Sequence, residues 1–287
     1  MMAKVRRITL AAINIAMHAP HTTERYVELI QKAFRRRMIA RMGALHGVML
    51  GTLHRPVLDG REVLLPGELY RFVKLDPGQP WFNVERKEPA TEQDVESINI
   101  PGHLLPHLQR IPFVFNARRH RLWYVSRDQA NSLAPASAVR FLETLLQSTA
   151  MAHDFPDISI TAVPEKTSVD EILNLPGLEY LRIELVRPNP DTGENAEERW
   201  LRKLEEQKTT KAKLELIHTR SHTLKPDAET REMASVAANN GIVYGRGRTA
   251  NGLPVEDSTK NRPLQRYEFV DTNIETTADV LRRVAAG

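Results

Sequence analysis

The chain has 287 residues, an apolar fraction of 41% and no cysteine. This is enough apolar material for one large core or two ordinary ones, and the missing thiols exclude disulfides, thiolate nucleophiles, iron–sulfur clusters and cysteine-ligated zinc. The net charge of +4 is uneven: 14 Lys and Arg face eight Asp and Glu between Arg199 and Tyr267, a local excess of six that leaves the rest at −2.

The basic start, Met1-Met-Ala-Lys-Val-Arg-Arg, leads into an apolar run that Asn14 and His18 interrupt. No small-residue cleavage site follows, so a signal peptide is not expected. No run reaches the roughly 18 apolar residues of a membrane span. The expectation is a cytoplasmic protein without membrane contact.

Residues 7–17 are rich in β-formers and read as a strand. Thr22-Thr23 with Glu24 then offers a cap for a helix running to about Ala40, with Tyr26, Ile30, Ala33, Phe34 and Met38 at core spacing. Strand-like runs follow at 46–57 and 68–75, with a tight turn at Asp59-Gly60, a second turn at 77–80 and an extended run at 81–84. Residues 85–97 are charged and read as loop or an exposed helical turn. The clearest hairpin joins 111–115 to 121–126 through the polar turn 116–120.

A helix is expected over 135–150, with Val139, Leu142, Leu145 and Leu146 on one stripe. Strand 158–163, a short helix 168–173 and strand 179–186 make a compact unit. Pro188-Asn-Pro-Asp-Thr-Gly-Glu suits neither helix nor strand and marks a boundary. It divides the chain into an N-terminal α+β domain, 1–188, and a basic C-terminal α+β domain, 195–287. Beyond it, residues 196–217 form the longest helical pattern, with a weak middle at 207–213 that divides it. A helix from Pro226 to Ala238 ends at Asn239-Asn240-Gly241 in a left-handed cap. Strands 242–248 and 265–271 and a helix over 277–285 complete the chain. Short turns between successive strands favour antiparallel pairing, so the expected class is α+β, with mixed, largely antiparallel sheets and packed helices.

Candidate chemistry is sparse. The histidine pairs His103/His107 and His218/His222 have i,i+4 spacing, but Pro106 interrupts the first and only Glu215 lies near the second, so no metal is assigned. Gly245-Arg-Gly247 lacks the third glycine and the following helix of a dinucleotide loop, and reads instead as a crowded strand with a hairpin at Asn251-Gly252. No cofactor is expected. Metal-dependent nuclease chemistry would need clustered carboxylates, with Glu184, Asp170/Glu171 and Glu256/Asp257 as the candidates. Metal-free RNA cleavage would need a histidine base and a cation, which His218, Arg220 and His222 offer. No catalytic residue is assigned on this basis.

The basic C-terminal segment carries the leading reading. Clustered Lys and Arg release counterions from phosphates. Arg246 and Arg248 share one strand face, and the loop 258–262 adds Lys260 and Arg262 with hydroxyl and amide donors. Tyr244 and Tyr267 are candidates for stacking, and Glu256 and Asp257 are the acids able to neutralise the patch internally. The partner expected is a nucleic acid, DNA and RNA remaining open, with a protein partner or a homo-oligomer as the other possibility.

The loop Pro188-Asn-Pro-Asp, then Thr223-Leu-Lys-Pro-Asp, Ala237-Ala-Asn-Asn-Gly241, and Gly252 with Ser258-Thr259 before Pro263, resembles an uncharacterised bacterial family. Its members have about this length and occur in mobile-element and phage-defence neighbourhoods. The resemblance implies a role in defence or nucleic-acid handling and supplies no catalytic residue. The function expected is nucleic-acid-associated binding, as a component of a defence assembly. A toxin-like ribonuclease and a protein-interaction module without nucleic acid are the alternatives.

Overall fold

The computed structural model describes residues 5–17, 22–74, 79–96, 98, 101–186, 195–219 and 222–287. Strand β1 (Val5–Ala16) is buried on both faces from Ile8 onward. Ala11, Ile13 and Ile15 enter one core, and Ile8, Leu10 and Ala12 another. Helix α1 (Thr23–Arg35) begins as expected, with the Arg25 N–H donating to the Thr22 hydroxyl. It stops short of Ala40, because Arg37 adopts φ 49° and the chain turns into edge strand β2 (Ala40–Met42).

Strands β3 (His46–Leu53), β4 (Val57–Asp59) and β5 (Glu62–Val73) follow, with Gly60 in the β4–β5 turn. Residues 77 and 78 of the expected 77–80 turn lie outside the described residues. The charged stretch after it holds a small exposed ribbon, β6 (Phe82–Asn83) with β7 (Glu88–Pro89), and the short helix α2 (Glu92–Glu96). The expected hairpin is β8 (Gln109–Asn116) with β9 (Arg121–Arg127), Asn116 opposite Arg121. Helices α3 (Pro135–Leu146) and α4 (Thr149–Ala152), strand β10 (Ser159–Ala162), helix α5 (Ser168–Leu173) and strand β11 (Tyr180–Val186) come next. The expected boundary loop at 188–194 lies outside the described residues.

The long helix expected over 196–217 is corrected. Helix α6 (Asn195–Glu206) ends where Lys208 takes φ 52°, and the remainder is strand β12 (Lys211–Ile217). Ala212, Leu214 and Leu216 pack on the core while Lys211, Lys213, Glu215 and Ile217 are exposed, a period of two read too readily as part of a longer helix. Helix α7 (Ala228–Asn240) is capped by Asp227, whose carboxylate accepts from the Thr230 N–H at 2.8 Å. Strand β13 (Gly241–Arg248) follows without a break. The left-handed cap expected at Asn239-Asn240-Gly241 is therefore not formed: Gly241 is extended (φ 166°). Glycine is required there because an added Cβ would meet the Glu184 carbonyl oxygen. Strand β14 (Pro254–Ser258), a 3-10 turn (Thr259–Asn261), β15 (Arg266–Asp271) and helix α8 (Thr277–Ala286) complete the chain.

The strands form two main antiparallel sheets, so the fold is α+β as expected. Among the described residues the first has nine strands, in the order β10-β1-β9-β8-β5-β3-β2, with β15 beside β1 and β4 beside β5. Helices α1 and α3 contribute to the core on one face, and α8 to that on the other. The second sheet, β12-β11-β13-β14, packs one face against α5, α6 and α7. Each fully buried Leu, Ile or Phe in these cores contributes roughly 1.5–3 kcal/mol from removal of apolar surface from water. Sheet membership crosses residue 188 in both directions. β11 is an inner strand of the second sheet, while β15 and α8 return to the first.

Buried polar contacts tie the two sheets together. Asn14 on β1 donates to Asn239 O at 3.0 Å and to Asn240 Oδ1 at 3.2 Å, and Thr161 on β10 donates to Asn239 O at 3.0 Å. Asn240 in turn donates to the buried Glu197 on α6. The C-terminal end of α7 is thereby held against the first sheet, and β13 begins from a fixed point.

Candidate nucleic-acid interface

Alternation along the second sheet separates its faces. Leu181, Ile183, Leu185 and Val243 point into the core. Tyr180, Arg182 and Glu184 on β11, Lys211, Lys213 and Glu215 on β12, and Tyr244, Arg246 and Arg248 on β13 lie on the other face, which none of the packed helices of that core covers. Register fixes their neighbours: Tyr180 is opposite Arg246, Arg182 opposite both Tyr244 and Glu215, and Glu184 opposite Lys213. At about 3.3 Å per residue, the eight residues of β13 give this face a length of about 25 Å.

The two tyrosines stand side by side, ring centroids 6.0 Å apart and edge to face. Arg246 lies over Tyr180 at 5.7 Å and Arg182 over Tyr244 at 5.5 Å, so rings and guanidinium planes interleave across two strands. Tyr180 donates its hydroxyl to Glu215 at 2.8 Å and Tyr244 to Glu256 at 2.7 Å, and each bond raises the phenol above its ordinary range because ionisation would place two anions together. Lys211 hydrogen-bonds Glu184 at 2.5 Å and holds its carboxyl below the usual range, and Lys213 does the same to Glu215 at 2.8 Å. The face is a lattice of paired charges with aromatic faces between them.

Its two ends are concave. At the β13 N-terminal end lies a cleft of about 380 Å³ against α3 and β10, lined by Arg140, Thr161, Glu184, Lys211 and Lys260 among others. At the opposite end is a more open pocket of about 590 Å³, lined by Glu179, His218, His222, Thr223 and Arg248.

Three of the four expected cations belong to this surface. Arg246 and Arg248 project together as expected, and Lys260 sits in the cleft at the other end. Arg248 is bound by Glu179, Nε to Oε1 at 2.8 Å, and by Gly252 O at 3.2 Å. The expected single patch of four is corrected: Lys260 lies at the opposite end of the face from Arg248, and the face does not hold Arg262. Arg262 pairs with Glu171 on α5 and, at 2.6 Å, with Asp257, whose side chain lies on the helix-covered side of β14. The chain runs back past the arginines as β14, and the 3-10 turn that follows, at the far end of β13, carries Arg262 behind the sheet.

Gly245-Arg-Gly247 is the crowded strand expected of it: a Cβ at Gly247 would meet the Pro176 carbonyl, and Gly252 (φ 76°) makes the hairpin to β14. The nuclease carboxylates do not converge as one set; only Glu171 and Asp257 meet, at Arg262. Glu184 is held by Lys211, Glu171 and Asp257 by Arg262, and Glu256 by Tyr244. Among the described residues no group of three or more His, Asp or Glu is placed to hold a metal ion. His218 and His222 are not on a helix, as i,i+4 pairing would need; they follow β12 and line one pocket. Arg220 lies outside the described residues.

Sequence reading missed Tyr180 and the β12 lysines. Tyr180 opens a strand whose partner the sequence does not mark, and residues 211–217 read as the end of a helical pattern. The alternation Lys211-Ala-Lys213-Leu-Glu215-Leu was the signal available. Tyr267, the other expected stacking residue, is on β15 beneath Arg7, 4.8 Å to its ring centroid, and belongs to the first sheet.

The family described as Domain of unknown function (DUF4747) matches residues 6–286, and the chain belongs to it. No curated protein matches the sequence. Among the described residues no helix is long and apolar enough to cross a membrane.

Proposed function

We propose that this DUF4747 member binds single-stranded nucleic acid along the open face of its second sheet. The observation that carries the reading is the pair Tyr180 and Tyr244, side by side on adjacent strands and interleaved with Arg246 and Arg182. Unpaired bases stack on aromatic rings and on guanidinium planes, and the phosphates between them take cations. Lys211, Lys213 and Arg248 supply those cations at the margins of the same face. A duplex presents no unstacked base, so single strands are the favoured ligand.

The resemblance of the turn motifs supports a further step, a cytoplasmic bacterial protein acting in an anti-phage defence assembly. A plaque assay with and without the protein tests that step separately from binding.

The binding test is fluorescence anisotropy with labelled single-stranded and duplex oligonucleotides over a salt titration. Tight single-strand binding that weakens steeply with salt is expected. No binding at low salt sinks the proposal and leaves an acidic protein partner as the occupant of this face.

A further inference from the structure

We infer that the pocket at the Arg248 end of the open face is a ribonucleolytic centre, with His218 and His222 as its proton-transfer pair. Metal-free cleavage of RNA needs a neutral base near the 2′-hydroxyl, an acid near the departing 5′ oxygen, and a cation for the charge gathering on phosphorus oxygens. His218, His222 and Arg248 line one concavity. The pocket is open, with a volume of about 590 Å³.

Its position matters as much as its content. Glu179 precedes Tyr180 in the chain, and its N–H donates to Arg246 O at 2.8 Å. The pocket therefore begins where the aromatic face ends, and a strand stacked on Tyr180 delivers its next phosphate there. The inference rests on the binding reading for that delivery. The backbone supports the histidines on one side: His218 N–H donates to Glu179 O at 2.8 Å, and Leu224 N–H to Leu178 O at 2.8 Å. Glu179 is a positioning residue, since its carboxylate holds Arg248 at 2.8 Å. The guanidinium has five N–H donors, of which its bonds to Glu179 and Gly252 use two.

The step balances without metal or water. One imidazole, neutral, takes the proton of the 2′-hydroxyl as the O2′–P bond forms. The P–O5′ bond breaks, and its electron pair leaves on the 5′ oxygen, which takes a proton from the other imidazole in its cationic form. The products are a 2′,3′-cyclic phosphate and a 5′-hydroxyl. His218, His222, Glu179 and Arg248 are the titratable and charged groups lining the pocket.

The test incubates full-length protein with a labelled single-stranded RNA in excess chelator, and with DNA of the same sequence. Binding is measured alongside by anisotropy. RNA should be cut to cyclic-phosphate ends and DNA bound but left intact. His218→Ala and His222→Ala should each lower the cleavage rate by roughly 100-fold or more while binding and melting temperature hold. His218→Asn and His222→Asn repeat the test with a smaller change in shape. Binding with no cleavage overturns this inference and leaves the binding reading standing, whereas neither binding nor cleavage overturns both. Cleavage that persists in the double variant, or that chelator abolishes, also overturns it.

Discussion

Arg246 lies over the ring of Tyr180 across the β11–β13 pair, 5.7 Å from guanidinium carbon to ring centroid. The contact sets an aromatic ring and a guanidinium beside each other on the open face. Tyr180→Ala should weaken single-strand binding by about 1–3 kcal/mol, a factor of roughly 5 to 150, and Tyr180→Phe should retain most of the affinity. Stacking uses the ring, whereas the hydroxyl is engaged with Glu215. Anisotropy titrations of both variants decide the point; equal losses in both would show that the hydroxyl, not the ring, matters.

Arg246→Ala with Arg248→Ala removes two cations from the open face. The slope of log K against log salt for single strands should flatten by about 0.7 for each phosphate that is no longer neutralised. Arg262→Ala makes the control, because that cation is paired with Glu171 and Asp257 on the helix side. Its slope should match the unaltered protein; a flatter one would return Arg262 to the binding surface.

The carboxyl of Glu184 is held below its usual range by the Lys211 hydrogen bond, and Glu215 by Lys213. A folded pKa below the unfolded one means that the unfolded chain binds the proton more readily. The stability these pairs contribute is thus present above an ordinary glutamate pKa of about 4.3 and is lost as pH falls through the folded values. Glu184→Gln should make the melting temperature less sensitive to pH below about 4.3, as thermal melts across that window will register. An unchanged acid limb would show that the pair does not couple to folding.

Gly241 occupies a position where a side chain would collide with the β11 backbone at Glu184. Gly241→Ala should cost about 3 kcal/mol or more, or leave no soluble protein, whereas Gly102→Ala, where a Cβ meets nothing, should be close to neutral. Urea midpoints for the two variants test this directly. Similar midpoints would mean that the strand pair yields easily there.

Asn14 is buried and serves two acceptors at the C-terminal end of α7. Asn14→Leu leaves those acceptors without that donor and should cost about 1–3 kcal/mol. Hydrogen exchange should rise at the start of β13 if this side chain anchors the second sheet. Protection there equal to that of the unaltered protein would remove Asn14 from that role.

Local chemistry was enough to reveal much of this chain. Asn116 to His120 turns a hairpin because polar residues interrupt two β-rich runs, and Thr22 caps a helix because its hydroxyl reaches an orphan N–H. The β-formers of residues 7–17 foretold a strand, and the alternation of Arg246 and Arg248 foretold their common face. These properties depend on spacing within a few residues, which the order of side chains states outright. The tertiary structure decided what depends on distant segments meeting. Lys211 to Ile217 became a strand because β11 offered an edge to pair with, outweighing the helical character of its lysines and leucines. Gly241 served close packing instead of a cap because Glu184, 57 positions earlier in the numbering, came to lie against it. Tyr180 met Tyr244, and Glu179 met Arg248, only through register between strands some 60 residues apart in the chain. Arg262 was turned behind the sheet by carboxylates on α5 and β14 that no local pattern links to it. A charge count saw four cations in one segment, and the fold assigned them to two sides of a sheet.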